Sequence, residues 1–381
     1  MIKKKVLIFI DWYSPGYKAG GPIQSVLNLV AHLNDYFEFS VITRDTDYCE
    51  TTPYSTIKSN EWNLLPDGTK VYYFSSDRLT RSNIGKLIRS TDFDIVYLNG
   101  IFSLYFTLIP LMFLRKTRAK KVIIAARGMF AESALGVKKI KKKFFLRSVK
   151  VLRLFEDVVF HASTENEKSD IRKVLGEKVN IRTAGNLPQK IQAAILPDRM
   201  KEKGLLKLIN IARIAPEKNI LFALKIFKKV KGNVSFDFYG PVYDKIYWDE
   251  CRKVISELPP NVTVNYKGSI ESHKVMAEFK NYHFMFMPTL GENFGHIILQ
   301  SLSSGCPVII SNQTPWKSLH NRKAGWDIPL NEENHFVRVI DECIQMDQDD
   351  YNQMSQAAFT FAKEYIDDKE IIEQNKHLFF V

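Results

Sequence analysis

The feature that most constrains this sequence is a series of short apolar segments, most of them followed by a stretch with helical periodicity. The segments are KVLIFI, FEFSVIT, KVYYF, DIVYLN, KVIIAA and DVVFHAS in the first half, and LKLINIARI, VSFDFYG, VTVNYKG, HFMFMP and PVIIS in the second. Strands that alternate with helices form crossover units and parallel sheets. The pattern predicts an α/β protein with two doubly wound, Rossmann-like domains.

Length and a proline-containing segment predict where the two domains divide. A chain of 381 residues is too long for one comfortable core. The stretch from Asn186 to Gly204 contains two prolines and no clear strand. We therefore predict an N-terminal domain over residues 1–190 and a C-terminal domain over 191–360. Ligands of such sheets bind at the carboxyl ends of the strands, so we expect a cleft between the two sets of strand ends.

Composition excludes several classes of protein. The four cysteines are far apart and form no CxxC pair, which argues against a disulfide framework or a zinc site and fits a reducing compartment. The apolar run near the N-terminus ends at Asp11, so it predicts a buried first strand rather than a signal peptide. No apolar run approaches the roughly 20 residues that span a bilayer. We expect no metal and no cofactor.

The net charge of +12 indicates a polyanionic partner. Much of the charge lies in KTRAKK (116–121) and in KKIKKKFFLRSVKVLRLF (138–155), where basic residues alternate with apolar and aromatic ones. A basic amphipathic helix of this kind suits an anionic membrane surface. The alternative is a solvated helix with one buried face. Nucleic acid is disfavoured, because the sequence contains no groove-reading motif or aromatic platform pattern.

Two glycines follow the first predicted strand. Gly20 and Gly21 allow the backbone to approach a ligand closely, and Pro22 suits the first position of a helix. The N-terminus of that helix is a candidate anion site, and a tight turn before a helix is the alternative. The segment does not fit GxGxxG, so a dehydrogenase is disfavoured.

Two cations flank the turn after the first strand of the second half, in IARIAPEKN (211–219). Arg213 and Lys218 suit a diphosphate, the first as a planar fork and the second as a point charge. The alternative is an exposed basic loop in which they pair with Glu217.

The segment GENFGHIILQ (291–300) places a carboxylate, Glu292, in a glycine-bounded turn between a predicted strand and a helix. Backbone N–H groups from Asn293 to Gly295 would face a ligand at the helix start. Glu292 is suited to accept hydrogen bonds from sugar hydroxyls. Gln300 lies about two turns further along the helix and is suited to a ribose, or to a buried backbone partner.

These segments together resemble the retaining glycosyltransferases of the large family-4 type, which have the GT-B architecture. The matching pieces occur in the family's order over nearly the whole chain. They are Gly20–Gly21, ARGM (126–129), IARIAPEKN, YGP (239–241), YKGSI (266–270), PTLGENFGHIILQSLSSGCPVI and the final helix. The resemblance implies that the last helix, at about 360–381, packs back on the N-terminal domain, and that this domain binds the acceptor.

The resemblance assigns roles to the donor-side residues. Arg213 and Lys218 would bind the diphosphate and stabilise the leaving nucleotide without a metal, while Glu292 would contact the transferred sugar. UDP is implied as the nucleotide by its frequency in the family. The other residues implied in donor binding are Gly20, Gly21, Gly240, Lys267, Gly268, Ile270, Asn293, Phe294, Gly295 and Gln300.

The sequence departs from the family at two positions. Gln300 stands where the family has a second Glu, so it lacks the negative charge expected toward a ribose. Asn99 stands where many relatives carry His, and an amide is no general base. A retaining mechanism in which the leaving phosphate takes the acceptor proton does not need that His. Asn99, Arg127 and His161 are candidate acceptor contacts, with a structural ion pair the alternative for Arg127 and a structural role the alternative for His161.

The sequence thus predicts a cytoplasmic enzyme, peripheral at the inner face of the membrane. It would transfer a sugar with retention from a nucleotide sugar to a lipid-linked oligosaccharide or polysaccharide, as in capsule or O-antigen assembly. Two alternatives remain: a sugar-nucleotide epimerase of the same architecture, and a catalytically idle binding or scaffold relative.

Overall fold

The computed structural model describes residues 3–115, 121–131, 145–147, 149, 153–190 and 196–380. The chain divides into two compact units, Met1–Lys190 with Asp368–Val381, and Ile191–Asp367. Each unit has its own sheet, so the α/β class and the two Rossmann-like domains predicted from the alternating pattern are confirmed.

The first unit is built on an eight-stranded sheet. Its strands are β1 Lys4–Phe9, β2 Phe37–Arg44, β3 Trp62–Leu64, β4 Lys70–Phe74, β5 Ile95–Asn99, β6 Lys121–Ala125, β7 Val158–Ala162 and β8 Asn180–Thr183. Their order is β3-β4-β2-β1-β5-β6-β7-β8, and all neighbours are parallel except β3, which is antiparallel to β4. The described helices are α1 Gly21–Leu33, α2 Arg81–Ser90, α3 Ile109–Leu114 and α4 Glu165–Leu175, with a π-helical turn at Leu104–Leu108.

The second unit is built on a six-stranded, fully parallel sheet. Its strands are β9 Leu205–Ile211, β10 Asn233–Tyr239, β11 Val262–Tyr266, β12 Phe284–Met287, β13 Val308–Ser311 and β14 Gly325–Ile328, in the order β11-β10-β9-β12-β13-β14. The helices are α5 Ile220–Phe227, α6 Lys245–Ser256, α7 Ser272–Glu278, α8 His296–Ser303, α9 Glu333–Gln345 and α10 Gln348–Ile366, with short 3-10 turns at Pro216–Lys218 and Phe279–Asn281.

The core of the second unit has two layers, one on each face of the sheet, because successive side chains of a strand point to opposite faces. In β12, Phe284 and Phe286 pack in the cluster on one face of the sheet, whereas Met285 and Met287 pack in the cluster on the other face. Both faces are therefore covered, which is why this strand is a continuous apolar run in the sequence.

The last helix, α11 Lys369–Phe380, belongs to the first unit. The Phe379 ring lies 5.2 Å from Phe37 and 5.6 Å from Tyr97, and the Asn375 amide donates to the Gly185 carbonyl at 2.8 Å. The predicted start of this returning helix, at about residue 360, is wrong by several residues. Residues 360–366 continue α10, which belongs to the second unit.

Three short strands were not predicted from the sequence. Strand β3 has three residues and β14 has four, and β8 carries no buried residue. Strands β3 and β8 are too short or too exposed for a period-2 signal to stand out, and Gly325 and Asp327 interrupt the apolar residues of β14.

Most of the predicted membrane helix, 138–155, lies outside the described residues. Of its apolar residues, Val149 and Leu154 are buried, and Phe145 and Phe155 pack against the core of the first unit. These side chains fill a buried face, as in the alternative interpretation. None of the described helices combines the length and apolarity needed to cross a membrane.

Candidate active site

The strand order of the second sheet creates a crevice between β9 and β12. The chain leaves β9 toward β10 on one side and returns later to place β12 on the other. Loops that follow such a pair of strands diverge, and ligands of open α/β sheets bind there. The loop after β9 carries Arg213 and Lys218, and the loop after β12 carries Glu292.

Backbone and side-chain hydrogen bonds join these two loops. The Leu290 N–H donates to the Glu217 carbonyl at 2.9 Å, and the Thr289 hydroxyl donates to the same carbonyl at 3.0 Å. Asn219 adopts a left-handed conformation (φ 57°) and donates its amide to the Pro288 carbonyl at 2.9 Å. The loops therefore hold each other in place.

The side chains of Lys218 and Glu292 meet across this crevice. The Lys218 Nζ contacts the Glu292 Oε1, and the two side chains are only 15% and 16% exposed. The Glu292 N–H donates to the Gln313 carbonyl at 3.0 Å, which anchors the carboxylate-bearing turn. A partly buried pair of this kind is screened weakly by solvent, so both charges act strongly on a bound ligand.

Arg213 lies in the same loop as Lys218 but has different partners. Its Nη2 lies 3.3 Å from the Glu217 Oε1, and its guanidinium lies 5.4 Å from the centre of the Tyr243 ring. The side chain is one-third exposed. The ion pair between Arg213 and Glu217, which was the alternative in the sequence analysis, is therefore present. Arg213 takes no part in the Lys218–Glu292 contact.

The turn before α8 contains a left-handed glycine and a buried phenylalanine. Gly295 is left-handed (φ 79°), and a Cβ there would lie 2.8 Å from Ile298 Cδ1. Phe294 is buried, and its carbonyl accepts from the Trp316 indole N–H at 2.6 Å. The N-cap residue of α8 is Gly295, which has no side chain to form a cap. Such a helix start favours an anionic or hydroxyl-rich ligand.

Gln300 is buried within α8. The backbone carbonyl of Gln300 accepts hydrogen bonds from the Ser303 hydroxyl and the Ser304 N–H, at 3.1 Å each. Its burial agrees with the alternative of an amide held inside the protein.

The glycines after β10 and β11 allow two chain segments to touch. Gly240 has φ 145°, and a Cβ there would lie 1.9 Å from the Ala212 carbonyl oxygen. Its N–H donates to the Gly268 carbonyl at 2.8 Å. Lys267 lies 3.3 Å from the Asp237 carboxylate, and Ile270 packs at the edge of the core. Close backbone contacts therefore fix the segment in which the nucleotide is predicted to bind.

A buried polar cluster lies beside this segment and was missed in the sequence. The Tyr282 hydroxyl donates to Asp237 at 2.8 Å, and the Tyr239 hydroxyl donates to Glu278 at 2.7 Å. Burial raises the pKa of Tyr239 to about 12, so its hydroxyl stays protonated. The tyrosine of the YGP segment, Tyr239, was the sequence feature that could have indicated this cluster.

In the first unit, Gly20 has φ 72° and ψ −127°, a conformation that favours glycine, and it precedes α1. A Cβ at Gly20 or Gly21 would meet no atom within 4 Å. The N-cap residue of α1 is Gly20, which has no side chain to form a cap, and the first turn contains no acidic residue. Anion binding at this helix start stays a prediction.

Arg127 is the centre of a hydrogen-bond network in the first unit. Its Nε donates to Asn99 at 2.8 Å, its Nη1 to Asn186 at 2.6 Å and its Nη2 to the Tyr97 hydroxyl at 2.9 Å. Strand register explains the grouping, because Asn99 pairs with Ala125 and Ala125 pairs with His161. Among the described residues no carboxylate forms an ion pair with Arg127, so the structural ion pair weighed in the sequence is not seen.

His161 continues this network into the core. The Tyr97 hydroxyl lies 2.8 Å from His161 Nδ1, and His161 Nε2 lies 2.8 Å from the Ala184 carbonyl. Because the carbonyl only accepts, Nε2 carries the proton and Nδ1 accepts. Burial lowers the pKa of His161 to about 3. Asn99 and His161 are both buried and support Arg127, and their contact with an acceptor stays a prediction.

Within the part of the chain that the structure describes, no three His, Cys, Asp or Glu side chains lie close enough together to hold a metal ion.

The second unit matches a known family. The family model described as glycosyl transferases group 1 matches residues 193–361, the region that holds Lys218 and Glu292. The chain is a GT-B glycosyltransferase.

Solved structures resemble this glycosyltransferase over both units. HepE from Anabaena, solved with UDP and glucose, superposes with a TM-score of 0.69 at 13% identity, covering 98% of each chain. Sucrose-phosphate synthase from Thermosynechococcus elongatus gives a TM-score of 0.69 at 12% identity, covering 99% of this chain and 98% of the other. At such identities the likeness establishes the fold.

A third similar structure is a TarM variant from S. aureus, solved with fondaparinux, alpha-GlcNAc-glycerol and UDP. It superposes with a TM-score of 0.69 at 14% identity, covering 99% of this glycosyltransferase and 100% of TarM. No curated protein sequence matches the chain significantly.

Proposed function

We propose that this glycosyltransferase moves a sugar, with retention, from a UDP-sugar to a lipid-linked oligosaccharide or polysaccharide acceptor in capsule or O-antigen assembly. One observation carries the donor-site proposal: Lys218 and Glu292 meet where the loops after β9 and β12 diverge. A cation for phosphate and a carboxylate for hydroxyls are thereby held side by side, as a sugar diphosphate requires.

The reaction breaks the bond between the anomeric carbon and the diphosphate oxygen, and the electron pair goes to that oxygen. Lys218 and Arg213 stabilise the negative charge that develops there, without a metal. The leaving phosphate takes the proton of the acceptor hydroxyl, whose oxygen bonds to the same face of the sugar. Glu292 accepts hydrogen bonds from the sugar and orients it. Asn293, Phe294 and Gly295 supply backbone groups at the start of α8.

Similar proteins support the choice of nucleotide. HepE was solved with UDP and glucose and TarM with UDP, and we transfer UDP from them to this chain as part of the proposal. The Lys218–Glu292 contact fits a nucleoside diphosphate in general, because a diphosphate replaces Glu292 as the partner of Lys218.

The acceptor belongs to the first unit in this proposal. Arg127 is a cation held by neutral groups, and the start of α1 favours an anion, so both suit a phosphate of a lipid-linked acceptor. The basic residues of 138–155 hold the enzyme at the anionic inner face of the membrane.

A donor screen tests the proposal. The purified protein is incubated with UDP-, GDP-, ADP- and dTDP-sugars, while thermal stability and nucleotide release are followed. Lys218→Ala and Glu292→Ala run beside a matched control, Lys229→Ala and Glu333→Ala, whose exposed ion pair lies in the same unit.

Stabilisation and slow hydrolysis of a UDP-sugar, lost in the first two variants and kept in the controls, is the expected result. Free epimerised sugar favours an epimerase instead. The absence of binding by every nucleotide sugar, with or without lipid vesicles, contradicts the donor site and favours an idle scaffold.

A further inference from the structure

The sheet of the first unit has a crevice of its own between β1 and β5. The chain leaves β1 toward β2 on one side and later places β5 on the other side. Asp11 follows β1, Ser103 follows β5 and Arg44 ends β2. By the rule that locates the donor site in the second unit, these three residues lie where a ligand of the first unit binds.

Asp11 and Arg44 are close but incompletely bonded. The Ser103 hydroxyl donates to the Asp11 Oδ1 at 2.9 Å, and the Arg44 Nη2 lies 3.8 Å from the same oxygen. Among the described residues, the Asp11 carboxylate accepts no other hydrogen bond, and the Arg44 guanidinium donates none. The side chains are 23% and 28% exposed, so a ligand can reach both.

Aromatic rings surround the Arg44 guanidinium. The Arg44 guanidinium lies 5.9 Å from the centres of the Trp12 and Tyr105 rings and 5.3 Å from that of Phe106. Trp12 and Tyr105 are half-buried, and each keeps part of its surface accessible. Their rings supply the apolar faces against which the C–H groups of a sugar ring pack.

We propose that Asp11, Arg44 and Trp12 form a subsite for a neutral sugar ring with two adjacent hydroxyls. One hydroxyl donates to Asp11, its neighbour accepts from Arg44, and the ring lies against Trp12. The two charges cancel, so the subsite favours a neutral sugar over an anionic one. The subsite deepens the proposed function, on which it rests: it holds the acceptor sugar, while Arg127 remains the candidate for an acceptor phosphate.

The test uses the full-length protein with saturating UDP, so that the donor site is filled. Methyl α- and β-glycosides of glucose, galactose, mannose and N-acetylglucosamine are the probes, with methyl glucuronide and glucose 6-phosphate as anionic comparisons. Saturation-transfer NMR and titration report glycoside binding, and calorimetry reports UDP binding separately. The variants are Asp11→Asn and Trp12→Ala, and the control is Asp92→Asn, an exposed carboxylate of the same unit.

At least one neutral glycoside is expected to bind the wild-type protein. Asp11→Asn and Trp12→Ala should weaken this binding about tenfold or more, because a hydrogen bond to a charged group or the ring contact is lost. Asp92→Asn and the affinity for UDP should be unchanged.

Three results overturn the subsite while UDP binds normally: no neutral glycoside binds, the anionic sugars bind better, or Asp11→Asn and Trp12→Ala bind like the wild type. Failure of UDP binding in the wild type counts against the proposed function instead. If UDP does not bind but a glycoside still binds and needs Asp11, the subsite is supported. Only its role in sugar transfer is then contradicted.

Discussion

Lys218 and Glu292, 74 positions apart in the chain, contact each other through their side chains. Each charge neutralises the other, which lowers the cost of keeping both largely buried. In our proposal a bound sugar diphosphate replaces this internal contact. Its phosphate pairs with Lys218, and its sugar hydroxyls donate hydrogen bonds to Glu292. The pair therefore couples the binding of the nucleotide to the binding of the sugar.

This coupling predicts that Glu292→Gln separates UDP binding from turnover. The amide no longer holds Lys218 by charge, so UDP should bind at least as tightly as in the wild type. Turnover of the UDP-sugar should fall roughly ten- to hundredfold, because a charge-assisted hydrogen bond to the sugar is lost. Calorimetry with UDP and a nucleotide-release assay measure the two effects, with Glu333→Gln as the control. A parallel loss of UDP affinity would show that Glu292 does not compete for Lys218.

Gly240→Ala should destabilise the second unit far more than Gly268→Ala. Both glycines have positive φ, so both substitutions cost about 1–2 kcal/mol of backbone strain. Only at Gly240 does the new Cβ also meet a backbone carbonyl, at 1.9 Å, so we expect a further loss of about 2 kcal/mol or more, or failure to fold. Urea denaturation of the two variants measures the difference. Equal stabilities would contradict the close approach of Gly240 to Ala212.

Arg127→Lys should lower the free energy of unfolding by about 1–3 kcal/mol, because buried acceptors lose their donors. A single ammonium does not reach Asn99, Asn186 and Tyr97 in the directions that the guanidinium serves. The positive φ of Arg127 is the same for Lys, so strain does not change. Arg78→Lys, at an exposed site, is the control for denaturant unfolding. Full stability of Arg127→Lys would mean that the network adds nothing to the first unit.

Buried histidines predict a loss of stability in mild acid. Burial lowers the pKa of His283 to about 4 from 6.5, and the Lys207 N–H donates to its Nδ1 at 3.1 Å. The unfolded chain takes up a proton below about pH 6.5, whereas the folded protein does so only below about pH 4. The free energy of unfolding should therefore fall by up to roughly 3 kcal/mol as the pH drops through this window.

Urea titrations between pH 4 and 7 measure this dependence. His283→Asn, which cannot be charged, should show a shallower slope than the wild type but not a flat one, because burial lowers the pKa of other groups, including His161 and His32, whose contributions remain. His273→Asn, at an exposed site, should keep the wild-type slope. An unchanged slope in His283→Asn would contradict the prediction.

The donor-side residues are predicted from local patterns. Arg213, Lys218 and Glu292 each follow an apolar strand, and the end of a strand is legible in a single sequence because burial imposes a run of apolar residues. The acceptor-side residues were harder to interpret. The sequence predicts Asn99 and His161 as acceptor contacts, and only the parallel register of β5, β6 and β7 shows that they surround Arg127 in the core.

Nor did the sequence indicate that Asp11 belongs to a candidate binding site. In the sequence it only ended the first apolar run, and nothing marked Arg44 or Ser103 as its neighbours. Ser103 lies 92 positions from Asp11, so no periodic signal links them.

The sequence by itself determined the α/β class, the two series of strands and the turns that carry charged residues, because these features depend on neighbours along the chain. The tertiary structure alone decided which turns lie side by side. That choice follows from strand order, which places β12 beside β9 and β5 beside β1. Strand order is fixed by pairing and packing between distant segments, and these long-range contacts brought Lys218 to Glu292 and Ser103 to Asp11.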